Sequence, residues 1–305
     1  MFHRVPALCL ALSSTVLLGQ VPPRANPAPA PVSCAAAERY GSPRETGTLR
    51  DPALTEASGL AASRIHRDVF YAHNDSGDSP RFFAIDAQGA RRGEFRLEHA
   101  TAIDWEDIAT GPCGNRTCVY LADIGDNGAH RTSLALYRTP EPALPEQAGT
   151  AVALPSERLA FTYPDGPHDA EAVAVDPSNG AIYLFTKALR HARVYRLDAS
   201  AWTSRRAVAT FVRDIDVRGG FVPFVTGADI HPCAPRVLIR TYTSVLEFRG
   251  GAGASIEAAL SASPIEVPSA LEFQSEAIAY RADGAGYLTV AEGAGAAIHE
   301  VRGAP

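Results

Sequence analysis

The chain has 305 residues, 46% of them apolar, and a formal net charge of −6 from 34 Asp and Glu against 28 Lys and Arg. That is ample sequence for a large core, and the mild acidic balance argues against a nucleic-acid or anionic-membrane surface. Lys187 is the only lysine, a bias that arginine-favouring codon usage explains.

Residues 1–20 start with the basic pair His3 and Arg4 and continue as an apolar run from Ala7 to Leu18, too short to span a bilayer. This is expected to be a secretory signal peptide, so the mature chain is exported, periplasmic or extracellular, with no membrane span left after processing. Residues 21–45 are rich in Pro and Ala and read as a spacer. Residues 46–303 read as one all-β domain, expected to be a monomer, because propellers and barrels often exceed the usual domain length.

Within that domain one pattern returns: Glu56-Ala57-Ser58-Gly59-Leu60-Ala61, Asp104-Trp105-Glu106-Asp107-Ile108-Ala109, Asp169-Ala170-Glu171-Ala172-Val173-Ala174, Thr226-Gly227-Ala228-Asp229-Ile230-His231 and Gln274-Ser275-Glu276-Ala277-Ile278-Ala279. Aligned on Leu60, Ile108, Val173, Ile230 and Ile278, the copies stand 48, 65, 57 and 48 residues apart. Each leads into further short runs of Val, Ile, Tyr and Phe bounded by turn residues, such as Val69-Phe70-Tyr71-Ala72-His73 and Arg81-Phe82-Phe83-Ala84-Ile85. Recurrence at about 50 residues with strand patterning predicts a β-propeller of five blades. Six is the alternative, since Glu157 to Tyr163 in the longest interval is either an outer strand of the second blade or part of another. The last unit lacks an outer strand, and Thr46 to Arg50 is expected to supply it and close the ring.

Four cysteines follow the signal peptide, an even number in an exported chain, so disulfides are the default. Cys113 and Cys118 bracket a hairpin, and Cys233 in the equivalent hairpin two blades on leaves Cys34 as its partner. A zinc site is the competing reading, with a spacing that fits none of the usual ligand patterns.

In an up-and-down blade, residues before strand one and after strand two share a rim. That rim collects Glu56, Asp104, Glu106, Asp107, Asp169, Glu171, Asp229 and Glu276, with His73, Asp75, Asp123, Asp126, Lys187, Arg240, Tyr242 and Glu292 from strand-two ends. Converging carboxylates must be protonated, neutralised by cations or spread into water. Oxygen donors without a Cys or His array suit Ca²⁺, expected near Glu56, Glu106, Glu171 and Glu276. The alternative is that these acids bind backbone N–H groups of neighbouring blades. Lys187 and Arg240, with His73 and Asp75, are the candidates for holding a small anionic ligand such as a phosphate ester, unless each cation simply pairs with an adjacent acid. Tyr71, Tyr120 and Tyr183 are expected to pack between blades.

The combination of these repeats with His73-Asn74-Asp75-Ser76-Gly77 and Asp123-Ile124-Gly125-Asp126-Asn127 resembles exported bacterial propeller proteins similar to the esterase-like phytase and SdiA-regulated groups. The resemblance covers Thr46 to Val301 and implies a calcium-associated propeller with the acids at strand starts as ligands. Phytase-type propellers carry several Lys and Arg for phosphate, whereas this rim offers mainly Lys187 and Arg240. Three functions are open at this point: a metal-dependent phosphate or other ester hydrolase, a non-catalytic propeller binding a ligand or surface protein, and a calcium-free structural propeller.

Overall fold

A computed structural model describes residues 1–2, 34–188, 191–204, 206–218, 220–272 and 274–304; the expected signal peptide and the first part of the spacer lie outside these residues, apart from the first two. Val32–Pro305 forms one compact unit, a five-bladed β-propeller. The inner strands of blades one to five are Ala57–Ala62, Trp105–Cys113, Ala170–Val175, Val225–Ile230 and Ser275–Tyr280, and they touch one another in that cyclic order. Each pairs antiparallel with a second strand, and each second strand with a third. Glu157–Thr162 lies antiparallel to Leu134–Pro140 as the outer strand of blade two, so the long interval holds no sixth blade.

The patterning follows from stacking. An inner strand has a neighbouring blade against each face, so four of the five are buried throughout, only the end of Trp105–Cys113 being half-buried, and they are rich in small and apolar residues. The core accordingly divides into five apolar clusters, each shared by two adjacent blades. Tyr71, Tyr120 and Tyr183, all buried, belong to the clusters at the one–two, two–three and three–four junctions, as expected of them. Two short parallel strands, Ala151–Leu154 beside Arg91–Leu97 and Ala207–Val208 beside Glu157–Thr162, cover the outer edges of blades one and two.

Arg44–Thr48 pairs with Ala297–Ala304 and completes blade five, two residues earlier than the sequence pattern placed it. The clasp also reaches further back, since Arg39–Tyr40 pairs with Gly303 and Ala304. Glu38 meets Arg236 at 2.8 Å, and the disulfide Cys34–Cys233 ties the segment to blade four. The Tyr40 hydroxyl donates to Glu247 Oε1 at 2.7 Å, as does that of Tyr280, while Arg249 Nε holds the other carboxylate oxygen. Residues from Cys34 onward, expected as spacer, are therefore built into the propeller.

The second disulfide, Cys113–Cys118, closes the hairpin at the end of blade two's inner strand, where Gly114 turns at φ 67°. The two bridges enclose very different loops, with sequence separations of 199 and 5. Chain-entropy reasoning makes the longer worth roughly 5 kcal/mol and the shorter roughly 2 kcal/mol. Urea denaturation should therefore show a clearly larger loss of stability for Cys34→Ser with Cys233→Ser than for Cys113→Ser with Cys118→Ser.

Candidate functional site

In every blade the pairing of inner and second strands slips by one residue just after the inner strand begins. The extra residues are Ser58, Glu106, Glu171, Thr226 and Glu276. A bulge bends the strand and re-aims its side chain, and here it places one side chain per blade at the channel mouth. In blades one and four that side chain is a hydroxyl that donates to the next blade: Ser58 Oγ to the Glu106 carbonyl at 2.5 Å and Thr226 Oγ1 to the Ser275 carbonyl at 2.8 Å. In blades two, three and five it is a carboxylate, with only 4 to 6% of the residue exposed.

The bulge corrects two placements made from the repeats. Glu56 is exposed and precedes the strand, and Ser58 holds blade one's equivalent position. In blade four Thr226 is the equivalent of Glu276, so Asp229 lies two residues deeper than the alignment on Ile230 implied. There its Oδ1 accepts from Ile230 N and its Oδ2 from Tyr280 N, both at 2.8 Å. Asp107, next to the bulge in blade two, behaves likewise: Oδ1 accepts from Ile108 N at 2.8 Å, and Oδ2 from Val173 N at 2.9 Å and Ala228 N at 3.4 Å. These two acids staple neighbouring blades and are not brought into the carboxylate cluster. Burial pushes Asp107 well above the carboxylate range even though these N–H groups favour its charged form.

The cluster that does form joins Asp75, Asp104 and Glu106, which offer carboxylate oxygens within 4.8 Å of one another. Asp75 stands on the turn after blade one's second strand, fixed by its own N–H donating to the Glu56 carbonyl at 2.9 Å and by Asn74 Oδ1 accepting from Thr55 and Glu56. Asp104 N donates to Asp123 Oδ1, which also accepts from Arg131 Nη2 at 2.7 Å. Beneath the cluster lies Gly125, where a Cβ would fall 1.9 Å from Glu106 Oε1 and 2.5 Å from Asp104 Oδ2; its missing side chain makes the space the two carboxylates occupy. Among the described residues, no hydrogen bond reaches the carboxylates of Glu106 and Glu276, whereas Glu171 Oε1 accepts from Lys187 Nζ at 2.8 Å. Asp169, at the start of blade three, accepts from Asp126 N at 2.8 Å.

The electrostatics follow from this crowding. Burial, then the charges of Glu171, Asp75 and Asp104, push Glu106 strongly up. Burial and Asp75 raise Asp104, and burial with Glu292 and Glu171 pushes Glu276 up to about 8. Glu171 is also raised by burial, but Lys187 works against that shift.

The remaining predicted residues are placed differently. Lys187 lies one residue past its strand, beside the Tyr242 ring, and Arg240 sits inside its own, so they are not equivalent. Arg240 is fully buried and contacts Glu272 at 3.3 Å, whose other oxygen is 2.8 Å from His299 Nδ1. His73 is buried, with Nδ1 2.7 Å from the Asn74 carbonyl and its ring edge-on to Trp105. Gly125 and the Ser58/Thr226 pair were missed in the sequence, although the shared dipeptides Ser58-Gly59 and Thr226-Gly227 would have given blade four its register.

Fold and site together define a five-bladed propeller with an acidic channel mouth. A scan of protein-family models finds no match, and neither does a search of curated proteins. Among solved structures, a chain from a crystal structure of a nidogen/laminin complex is similar over 78% of this chain and 73% of that one, with 11% identity and a TM-score of 0.46.

Two outcomes are expected. Asp107→Ala leaves buried N–H groups without acceptors and should lower stability by about 2 to 4 kcal/mol in urea titrations. In EDTA the melting temperature should fall as pH rises from about 6.5 to 8. A carboxyl whose folded pKa lies above its unfolded value near 4.3 holds a proton that unfolding releases, so stability is lost with rising pH. Buried His231, depressed to about 4, contributes the opposite slope only below about 6.5. Glu276→Gln should flatten the decline above that pH.

Proposed function

We propose that the acidic mouth is a divalent-cation site, with Ca²⁺ its natural occupant, in an exported binding propeller. The observation that carries this is Glu106: a residue only 5% exposed whose carboxylate has no hydrogen-bond partner among the described residues, crowded with Asp75 and Asp104 over the cradle that Gly125 leaves. Three carboxylates and no nitrogen or sulfur donor form a hard, all-oxygen set. A bound cation would supply the positive charge that lets them ionise together, and Glu171, tied to Lys187, would border the site.

Two further observations favour binding over hydrolysis. The cations that would hold an anionic ester are engaged, Lys187 by Glu171 and Arg240 in a fully buried contact with Glu272. The same rim exposes large apolar side chains, Ile103, Phe221 and Leu271 at 62, 94 and 85%, on segments leading into the inner strands of blades two, four and five. Apolar groups around a mouth suit a protein partner better than a small polar substrate. The two disulfides are compatible with export, and among the described residues no helix is long and apolar enough to cross a membrane.

Thermal melts of the mature protein at pH 7.5 with Ca²⁺, with Mg²⁺ and with EDTA test the site. A hundredfold excess over Kd should add about 2.7 kcal/mol, Glu106→Gln should abolish the shift, and Glu56→Gln should keep it. Coincident wild-type curves would refute the cation site. No chelator-sensitive turnover of p-nitrophenyl phosphate or p-nitrophenyl acetate is expected, and finding it would replace the binding reading with the hydrolase.

A further inference from the structure

The channel has a second mouth, at the rim where the five inner strands end. Residues just beyond or at the ends of those strands, Arg64, Pro112, Pro177, Pro232 and Ala282, surround a cavity of about 320 Å³. Its three prolines offer no backbone N–H, so the wall is poor in backbone donors. Arg64 is the charged residue of the lining. Its backbone N–H donates to Glu141 Oε1 at 2.9 Å and its Nε to Thr110 Oγ1 at 3.1 Å, which fixes the stem and the root of the guanidinium. Among the described residues no hydrogen bond engages its two Nη groups, and no carboxylate lies within 4.0 Å of them, unlike the ion-paired Arg81, Arg91, Arg131, Arg236 and Arg281. Thr117, on the hairpin of blade two, also lines the cavity, and no hydrogen bond of its hydroxyl is found among the described residues.

Deeper along the axis is Asp229, whose two oxygens already accept backbone N–H groups. Burial is the largest influence on Asp229, which is pushed up to about 6 although Arg64 and the two N–H groups act in the opposite direction. A fork of N–H donors against a low-dielectric wall binds a planar or tetrahedral oxyanion more strongly than the same group in water. The volume stands at the lower end of small-molecule sites.

We propose that this second mouth is a binding site for a small oxyanion, carboxylate or phosphate, held by the Nη groups of Arg64 with the Thr117 hydroxyl as a further donor. The site is independent of the acidic mouth, and a chelator should leave it unchanged. Calorimetric titration of the mature protein with inorganic phosphate and, separately, with succinate, both in EDTA at low ionic strength, tests it and distinguishes the two ligand types. At least one should bind saturably with one site per chain. Arg64→Gln should weaken that binding at least tenfold, and Ala282→Leu, which fills the cavity and keeps the guanidinium, should do the same with wild-type melting behaviour. Absence of saturable binding of both anions to the wild type would overturn the proposal. So would undiminished binding to Ala282→Leu, which decides the matter if Arg64→Gln fails to fold.

Discussion

Five inner strands drawn around one axis leave almost no room for side chains where they come closest, and that steric limit organises the propeller. The residue after each bulge is Gly59, Asp107, Ala172, Gly227 or Ala277, so four of the five are Gly or Ala. A Cβ on Gly59 would lie 2.7 Å from Ile108 N, and one on Gly227 would lie 2.6 Å from the Glu276 carbonyl. Asp107 is tolerated because its carboxylate takes N–H groups from its own strand and from blades three and four. The acid thus acts as a tie between blades.

The bulge above this narrow ring then decides what the mouth presents. A hydroxyl there is short enough to turn back and bond the next blade, as Ser58 and Thr226 do. A glutamate is longer, and its head group stands in the opening. Lys187 neutralises one of the three, leaving Glu106 and Glu276 to be balanced by protons or by a cation. The same crowding that raises their proton affinity is what an oxygen-seeking cation would relieve, so protons and metal compete for one set of atoms.

Much of this was legible in the sequence because the stacking of blades imposes it everywhere. Repeat spacing, tyrosines at one level of successive second strands and the missing outer strand of the last unit gave the five blades, their packing and their closure. The bulge was not legible from aliphatic alignment: slipping by one residue changes which side chain faces the axis without changing composition. Blade four showed the consequence, since Ile230 aligned well with Ile278 yet its structural counterpart is Tyr280. Glu56 misled for a related reason. An acid before an inner strand looks the same in sequence whether it reaches the channel or, as here, remains in solvent.

The two ends of the channel differ in how they are held, and the difference matches their charge. Both disulfides lie at the guanidinium end, where Cys34 lines the cavity itself and the second bridge closes the hairpin that carries Thr117. Covalent ties suit a wall of prolines that has few hydrogen bonds with which to hold its shape. The acidic end is held by side chain to backbone bonds: those of Asn74 and Asp123 orient the segments bearing Asp75 and Asp104, and those of Asp126 and Asp169 hold the turn that follows Gly125. Those bonds keep carboxylates together against their mutual repulsion, so the mouth that concentrates negative charge is also the one whose geometry depends on charged and polar acceptors. Between the ends, Asp107 and Asp229 spend their oxygens on backbone N–H groups, and neighbouring inner strands approach so closely at Gly59 and Gly227 that a side chain there would clash. The two mouths thus stand at opposite ends of one ring of inner strands, one gathering carboxylates and the other presenting Arg64.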